Sequence, residues 1–147
     1  MKIAKAFVRL FPVLAVVLTA GAYAQPNLLE PDAAFKVNIV QRDQQTLTAQ
    51  FTIAKNYYLY RDRMRFNVKD SPGFSIKSVR FPEGILKQDP NFGKTVVYKN
   101  AALVDIVLQR PAGAQKITVV ADYQGCEEKT GVCYPPMQQA HTLVLKN

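Results

Sequence analysis

Across residues 35–145 the chain alternates apolar and polar side chains with a period of two. Phe35, Val37 and Ile39 fall on one face, with Lys36 and Asn38 on the other. Leu47, Ala49, Phe51 and Ile53 repeat this against Thr48, Gln50 and Thr52, and Met64, Phe66 and Val68 against Arg65 and Asn67. Successive side chains of a strand point to opposite sides of a sheet, so such a pattern buries one face of each strand. Phe74 with Ile76 and Val79 with Phe81 predict a short, interrupted strand, and Ile117, Val119, Ala121 and Tyr123 another. The stretch TVVYKNAALVDIVLQ (95–109) is apolar on both faces in places, as a central strand pair would be, and Leu143 and Leu145 close the chain. Asp-Ser-Pro-Gly, Pro-Glu-Gly, Asp-Pro-Asn and Pro-Ala-Gly separate these runs as turns. The pattern predicts seven to nine short strands in one all-β antiparallel sandwich, with no helical period, repeat or linker after the N-terminal segment. Residues 25–32 read as an irregular lead-in.

The first 24 residues read as an export signal. Lys2, Lys5 and Arg9 precede the apolar run LFPVLAVVLTA, and Ala22, Tyr23 and Ala24 form an A-x-A cleavage pattern. The run is 11 residues long, whereas a membrane-spanning helix needs about 20. Cleavage therefore predicts an exported, soluble mature chain over 25–147. Of 19 basic and 11 acidic side chains, three basic ones leave with the signal, for a net charge of +5. The excess is dispersed, without the clustered Lys/Arg and interleaved aromatics of a nucleic-acid groove, so no nucleic acid is expected.

Cys126 and Cys133 are the only cysteines, in YQGCEEKTGVCYPP. An exported chain permits a disulfide. With His141 as the sole histidine, a four-ligand zinc site cannot be assembled, and no metal or dissociable cofactor is expected. The C-x6-C spacing is wider than a thioredoxin-type C-x-x-C. The six intervening residues can turn the chain back, and an eight-residue ring would stabilise by roughly 2.5 kcal/mol. Spacing alone leaves open whether the pair is a hairpin staple or a redox couple. Glu127 and Glu128, beside Cys126, are expected to disfavour its thiolate, or else simply to solvate the turn.

Two further stretches draw notice. In NYYLYRDR, Tyr58 and Tyr60 share one strand face, either as core packing with hydroxyls at the rim or as an aromatic wall for the cysteines. QDPNFGK (88–94) reads as a polar loop carrying one apolar residue, Phe92. His141 reads as an exposed strand histidine. No Ser/His/Asp set, paired catalytic carboxylates or phosphate-binding glycine loop is evident.

Taken together, YQGC-x6-CYPP, the upstream YYLYR and the DPNFGK loop resemble the N-terminal periplasmic domain of the thiol:disulfide interchange protein DsbD, over nearly the whole mature chain. The resemblance implies an immunoglobulin-like sandwich whose Cys126 and Cys133 form a catalytic disulfide. It implies electrons received from a thioredoxin-like donor domain and passed to periplasmic disulfide isomerases and a cytochrome c maturation protein. It also implies that Cys133 forms the mixed disulfide with partners, that Tyr58 and Tyr60 line the site, and that residues 89–94 form a cap loop, with Asp89, Asn91, Phe92 and Gly93 in it. Family members often place five residues between the cysteines, where this chain has six. Aligned on Gly93, the family's shielding Phe falls at Asn91 and a neighbouring Tyr at Phe92, so either residue is a candidate shield. Any membrane attachment would come from a separate or absent transmembrane domain. The competing expectation is a periplasmic binding or docking sandwich with a purely structural disulfide.

Overall fold

The structure is a computed structural model that describes residues 27–146. The export signal and its cleavage point lie outside the described residues. Among the described residues eleven strands are formed: β1 (Phe35–Gln41), β2 (Thr46–Ile53), β3 (Tyr57–Tyr60), β4 (Arg65–Lys69), β5 (Ser75–Arg80), β6 (Ile85–Asp89), β7 (Gly93–Tyr98), β8 (Ala101–Gln109), β9 (Lys116–Tyr123), β10 (Gly125–Glu127) and β11 (Met137–Val144). A four-residue helix, α1 (Pro31–Ala34), starts inside the expected irregular lead-in, and a 3-10 turn covers Arg61–Arg63. Both are too short to show a period in sequence. Among the described residues no helix is long and apolar enough to cross a membrane.

The strands form three antiparallel sheets, ordered β1-β2-β8-β5, β10-β3-β7-β6 and β11-β9-β4. This is an immunoglobulin-like sandwich. The inward residues of β1, β2 and β8 meet those of β4 and β9 in one core that includes Phe35, Leu47, Phe51, Val104, Ile106, Phe66, Ile117 and Tyr123. Phe51 and Tyr123 pack edge to face with ring centroids 5.4 Å apart. Each such side chain, fully buried, contributes about 1.5–3 kcal/mol. This core excludes both cysteines. Cys126 belongs to a smaller cluster with Tyr58, Tyr60 and Val97, against which Cys133 packs.

Residues 95–109 do not form a strand pair. β7 is central in the second sheet and β8 central in the first. Asn100, at a φ of 64°, turns the chain between them. Two consecutive strands, each interior to a sheet, look alike in sequence whether or not they pair with one another. His141 is also placed differently from expectation: it is half-buried, and its Nε2 is buried without a hydrogen-bond partner. Along β11 the odd-numbered residues Met137, Gln139, His141 and Leu143 are the less exposed set.

Gly125 sets how closely β10 approaches β3. A Cβ there would collide with the Tyr58 carbonyl and lie 2.6 Å from Phe35 Cζ. Gly125→Ala is therefore expected to destabilise by about 2 kcal/mol through overpacking. A shift in the urea midpoint measures this, and an unchanged midpoint would mean that Phe35 and β3 yield freely.

Candidate active site

The cysteine loop is built by backbone hydrogen bonds. β10 pairs with β3, which sets Cys126 opposite Tyr58. The chain then turns, with Glu127 N donating to the Val132 carbonyl (2.8 Å), Gly131 N to Glu127 O (3.1 Å) and Tyr134 N to Gly125 O (3.0 Å). Gly131 sits at a φ of 70°, a conformation that glycine adopts without steric cost. Cys133 is returned opposite Cys126 in an isolated antiparallel bridge, with Cα atoms 3.9 Å apart, and the two form a disulfide. The two sulfur-bearing residues differ in access. Cys126 is 0% exposed, whereas Cys133 is only half-buried.

The period of two divides β3 between two tasks. Tyr57 and Leu59 enter the main core, and Tyr58 and Tyr60 face the disulfide. Tyr60 Oη lies 3.1 Å from Cys126 Sγ and 3.7 Å from Cys133 Sγ. Both tyrosine hydroxyls donate to Asp89 Oδ2 at 2.8 Å. Asp89 is 2% exposed, and its other oxygen, Oδ1, accepts from the backbone N–H groups of Asn91 (2.9 Å) and Phe92 (3.2 Å). Burial raises the Asp89 pKa, but the hydrogen bonds from Tyr60, the Asn91 N–H, Tyr58 and the Phe92 N–H outweigh it and hold the carboxyl below its ordinary value. Burial pushes Tyr58 up to about 12 and Tyr60 higher still, so both stay protonated donors.

The loop expected over residues 88–94 is tighter than its sequence suggests. Gln88 and Asp89 end β6, Gly93 and Lys94 begin β7, and Asp89 pairs with Gly93 across the hairpin. Only residues 90–92 form the tip. Gly93 has a φ of 68° with open space around it, so the turn geometry, not packing, favours glycine there. Phe92 packs edge to face on Tyr60 with centroids 4.9 Å apart, and the Arg63 guanidinium lies 4.3 Å above the Phe92 ring. Asn91 Nδ2 lies 3.6 Å from Cys133 Sγ. Phe92 thus covers the tyrosine, while Asn91 touches the more accessible sulfur.

The two glutamates have partners of their own. Glu127 is buried, and its Oε2 accepts from Thr130 Oγ1 (2.7 Å) and Thr130 N (2.6 Å). These bonds, the side-chain one foremost, hold its carboxyl below the ordinary value against burial. Glu128 pairs with Lys99 at 2.6 Å and Lys87 at 3.9 Å. The carboxylate wired to the sulfurs is Asp89, through Tyr60. Two cations escaped the sequence reading: Arg63 over Phe92, and Lys87, whose Nζ lies 5.0 Å from the Tyr58 ring centroid. Arg63 stands three residues after Tyr60 in the quoted NYYLYRDR, which is the one sequence signal that could have found it.

The family described as thiol:disulfide interchange protein DsbD, N-terminal, matches residues 25–145. Thiol:disulfide interchange protein DsbD 1 of Pseudomonas aeruginosa is 42% identical over 110 residues, covering 75% of this chain and 18% of that protein. DsbD of Ralstonia nicotianae is 37% identical over 121 residues, 82% of this chain and 19% of that one. The chain thus spans about a fifth of the length of these curated relatives. The reduced DsbD N-terminal domain of Neisseria meningitidis superposes with a TM-score of 0.70 at 29% identity, over 82% of this chain and 92% of that one. A complex of the DsbD and PilB N-terminal domains from the same organism gives a TM-score of 0.65 at 28% identity, over 79% and 87%.

Proposed function

Because the chain belongs to the family of DsbD N-terminal domains, we propose that it is a thiol–disulfide exchange module. In this reading its Cys126–Cys133 couple relays two electrons from a thioredoxin-like donor to thioredoxin-like acceptors in the periplasm. The observation that carries the reading is the asymmetry of the disulfide: a half-buried Cys133 faces outward, and a fully buried Cys126 has a tyrosine hydroxyl 3.1 Å from its sulfur. A donor thiolate attacks Cys133 Sγ, the Cys126–Cys133 bond breaks, and the electron pair leaves on Cys126 Sγ. Tyr60 O–H, which in the disulfide form donates to Asp89 Oδ2, lies 3.1 Å from Cys126 Sγ and would turn from that carboxylate to donate to the leaving thiolate. The donor's second thiolate then resolves the mixed disulfide, leaving the donor oxidised and the couple as a dithiol. Onward transfer reverses the roles: Cys133 attacks an acceptor disulfide, Cys126 resolves, and two electrons with two protons pass to the acceptor.

The chain would act as a protein-disulfide reductase component without a dissociable cofactor, exported by cleavage after Ala24. Its acceptors would be disulfide isomerases and a cytochrome c maturation protein, and any membrane link would lie in a transmembrane domain beyond the aligned region. The Neisseria relative's complex with the PilB N-terminal domain supports protein partners of this kind. Electrostatic restraint of the buried sulfur is assigned to Asp89, since Glu127 and Glu128 are engaged by Thr130, Lys99 and Lys87.

Equilibration with defined thiol buffers tests this reading against a purely structural bond. The expected reduction potential lies above about −300 mV, where catalytic couples fall, and the dithiol form keeps a cooperative unfolding transition. A potential well below that value, or a reduced chain that unfolds, would make the disulfide a staple in a binding module.

A further inference from the structure

The two sulfurs do not share one hydrogen-bond donor. Tyr60 carries a single proton, already directed to Asp89 Oδ2 at 2.8 Å, and its oxygen is closer to Cys126 Sγ (3.1 Å) than to Cys133 Sγ (3.7 Å). Cys133 Sγ instead faces the side-chain amide of Asn91, with Nδ2 at 3.6 Å. Sulfur is large, so this distance is a hydrogen-bonding one for a thiolate acceptor. We propose that Asn91 is a catalytic residue, the amide donor that stabilises the Cys133 thiolate when the couple is a dithiol. This rests on the exchange reading above and gives the cap tip a chemical task besides cover.

The local structure explains how an exposed side chain holds such a position. Asp89 Oδ1 fixes the backbone N–H of Asn91 and of Phe92 at 2.9 and 3.2 Å. The Phe92 ring is held between Tyr60 and the Arg63 guanidinium, at 4.9 and 4.3 Å. Asn91 therefore sits on a tip whose backbone is pinned, which places its amide beside Cys133 Sγ. An amide brings a partial positive charge without a full one, which lowers the thiol pKa while keeping the thiolate nucleophilic. In the exchange step the Cys133 thiolate forms a bond to an acceptor sulfur, and the acceptor's own S–S bond breaks with its electron pair on the distal sulfur. The Asn91 N–H···S interaction weakens as the charge leaves Cys133. The donor thus acts on the ground-state thiolate population, and its loss should be read in a titration.

The test uses the full chain carrying Cys126→Ser, in which Cys133 is the single thiol. The rate of its alkylation by iodoacetamide is followed against pH, with and without Asn91→Ala and Asn91→Asp. Loss of a charge-assisted donor is expected to raise the Cys133 pKa by about one unit in Asn91→Ala, and the carboxylate of Asn91→Asp to raise it further. Near pH 7 the thiolate fraction falls about tenfold, partly offset by higher nucleophilicity, so alkylation slows about threefold. If Asn91 only covers the sulfur, Asn91→Ala speeds alkylation at every pH and leaves the pKa in place, which overturns the proposal, as does an unchanged profile. Trapping of a thioredoxin-like disulfide by the Cys126→Ser chain is scored separately. A raised pKa without trapping keeps the donor and rejects the exchange reading, and trapping without a pKa change does the reverse.

Discussion

Cys126→Ser is expected to accumulate as a covalent complex with an oxidised thioredoxin-like partner once its Cys133 is reduced, while Cys133→Ser forms none, and both lose electron transfer by several orders of magnitude. The asymmetry follows from access. An attacking thiolate must approach along the S–S axis of the disulfide it cleaves, and a 0%-exposed Cys126 beneath Tyr58, Tyr60 and Val97 offers no such approach. Cys133, half-buried at the outer end of the same bond, does. With Cys126 replaced, no internal thiol carries the mixed disulfide forward, and it can only revert through the partner's second thiol, so it accumulates when that thiol is alkylated on quenching. Non-reducing electrophoresis of the mixture reads the result directly. Trapping by Cys133→Ser instead would reverse the roles of the two sulfurs, and trapping by neither would leave the disulfide as a staple.

The alternation of Phe35, Val37 and Ile39, or of Leu47 through Ile53, could be read from sequence because one face of each strand meets the core and the other meets water. The same rule separated Tyr58 and Tyr60 from Tyr57 and Leu59. It could not show pairing: β7 and β8 read as one pair but lie in different sheets, because alternation records which face is buried and not which strand lies alongside. The electrostatics of the site were misleading for a related reason. Glu127 adjoins Cys126 in sequence, but neighbours on a strand point to opposite sides, and its carboxylate closes the 127–130 turn. Asp89 belongs to another hairpin altogether, and only the β3–β7–β6 pairing carries it under Tyr60. The Arg63–Phe92 contact depends likewise on where a 3-10 turn lands, which no periodicity records.

Replacing Asp89 is expected to have the largest effect on stability of any change at the site that leaves the cysteines intact. One carboxylate accepts four hydrogen bonds, two from tyrosine hydroxyls and two from the backbone of the cap tip. Asp89→Ala leaves those donors facing a void, and at about 1.5–3 kcal/mol for a bond to a charged group, with partial rescue by water and by the Tyr58–Tyr60 contact, the net loss should be about 3–5 kcal/mol. The melting temperature should fall by about 10–20 °C. Asp89→Asn keeps the shape and an acceptor for the loop, so its loss should be smaller, but it removes the charge, and the pH dependence distinguishes it. The Asp89 carboxyl is held below its ordinary value in the folded chain. Its contribution is therefore complete above the unfolded value near pH 4, shrinks as pH falls through that value, and is gone below the folded one. Urea midpoints between pH 7 and pH 2 should show this acid limb in the parent and a shallower one in Asp89→Asn. Identical limbs would mean that Asp89 carries no net charge stabilisation. Because the cap tip hangs on the same carboxylate, Asp89→Ala should also speed reduction of the disulfide by a small dithiol. A chain that loses stability while its disulfide stays equally slow to reduce would show that the tip is held by Phe92 and Arg63 alone.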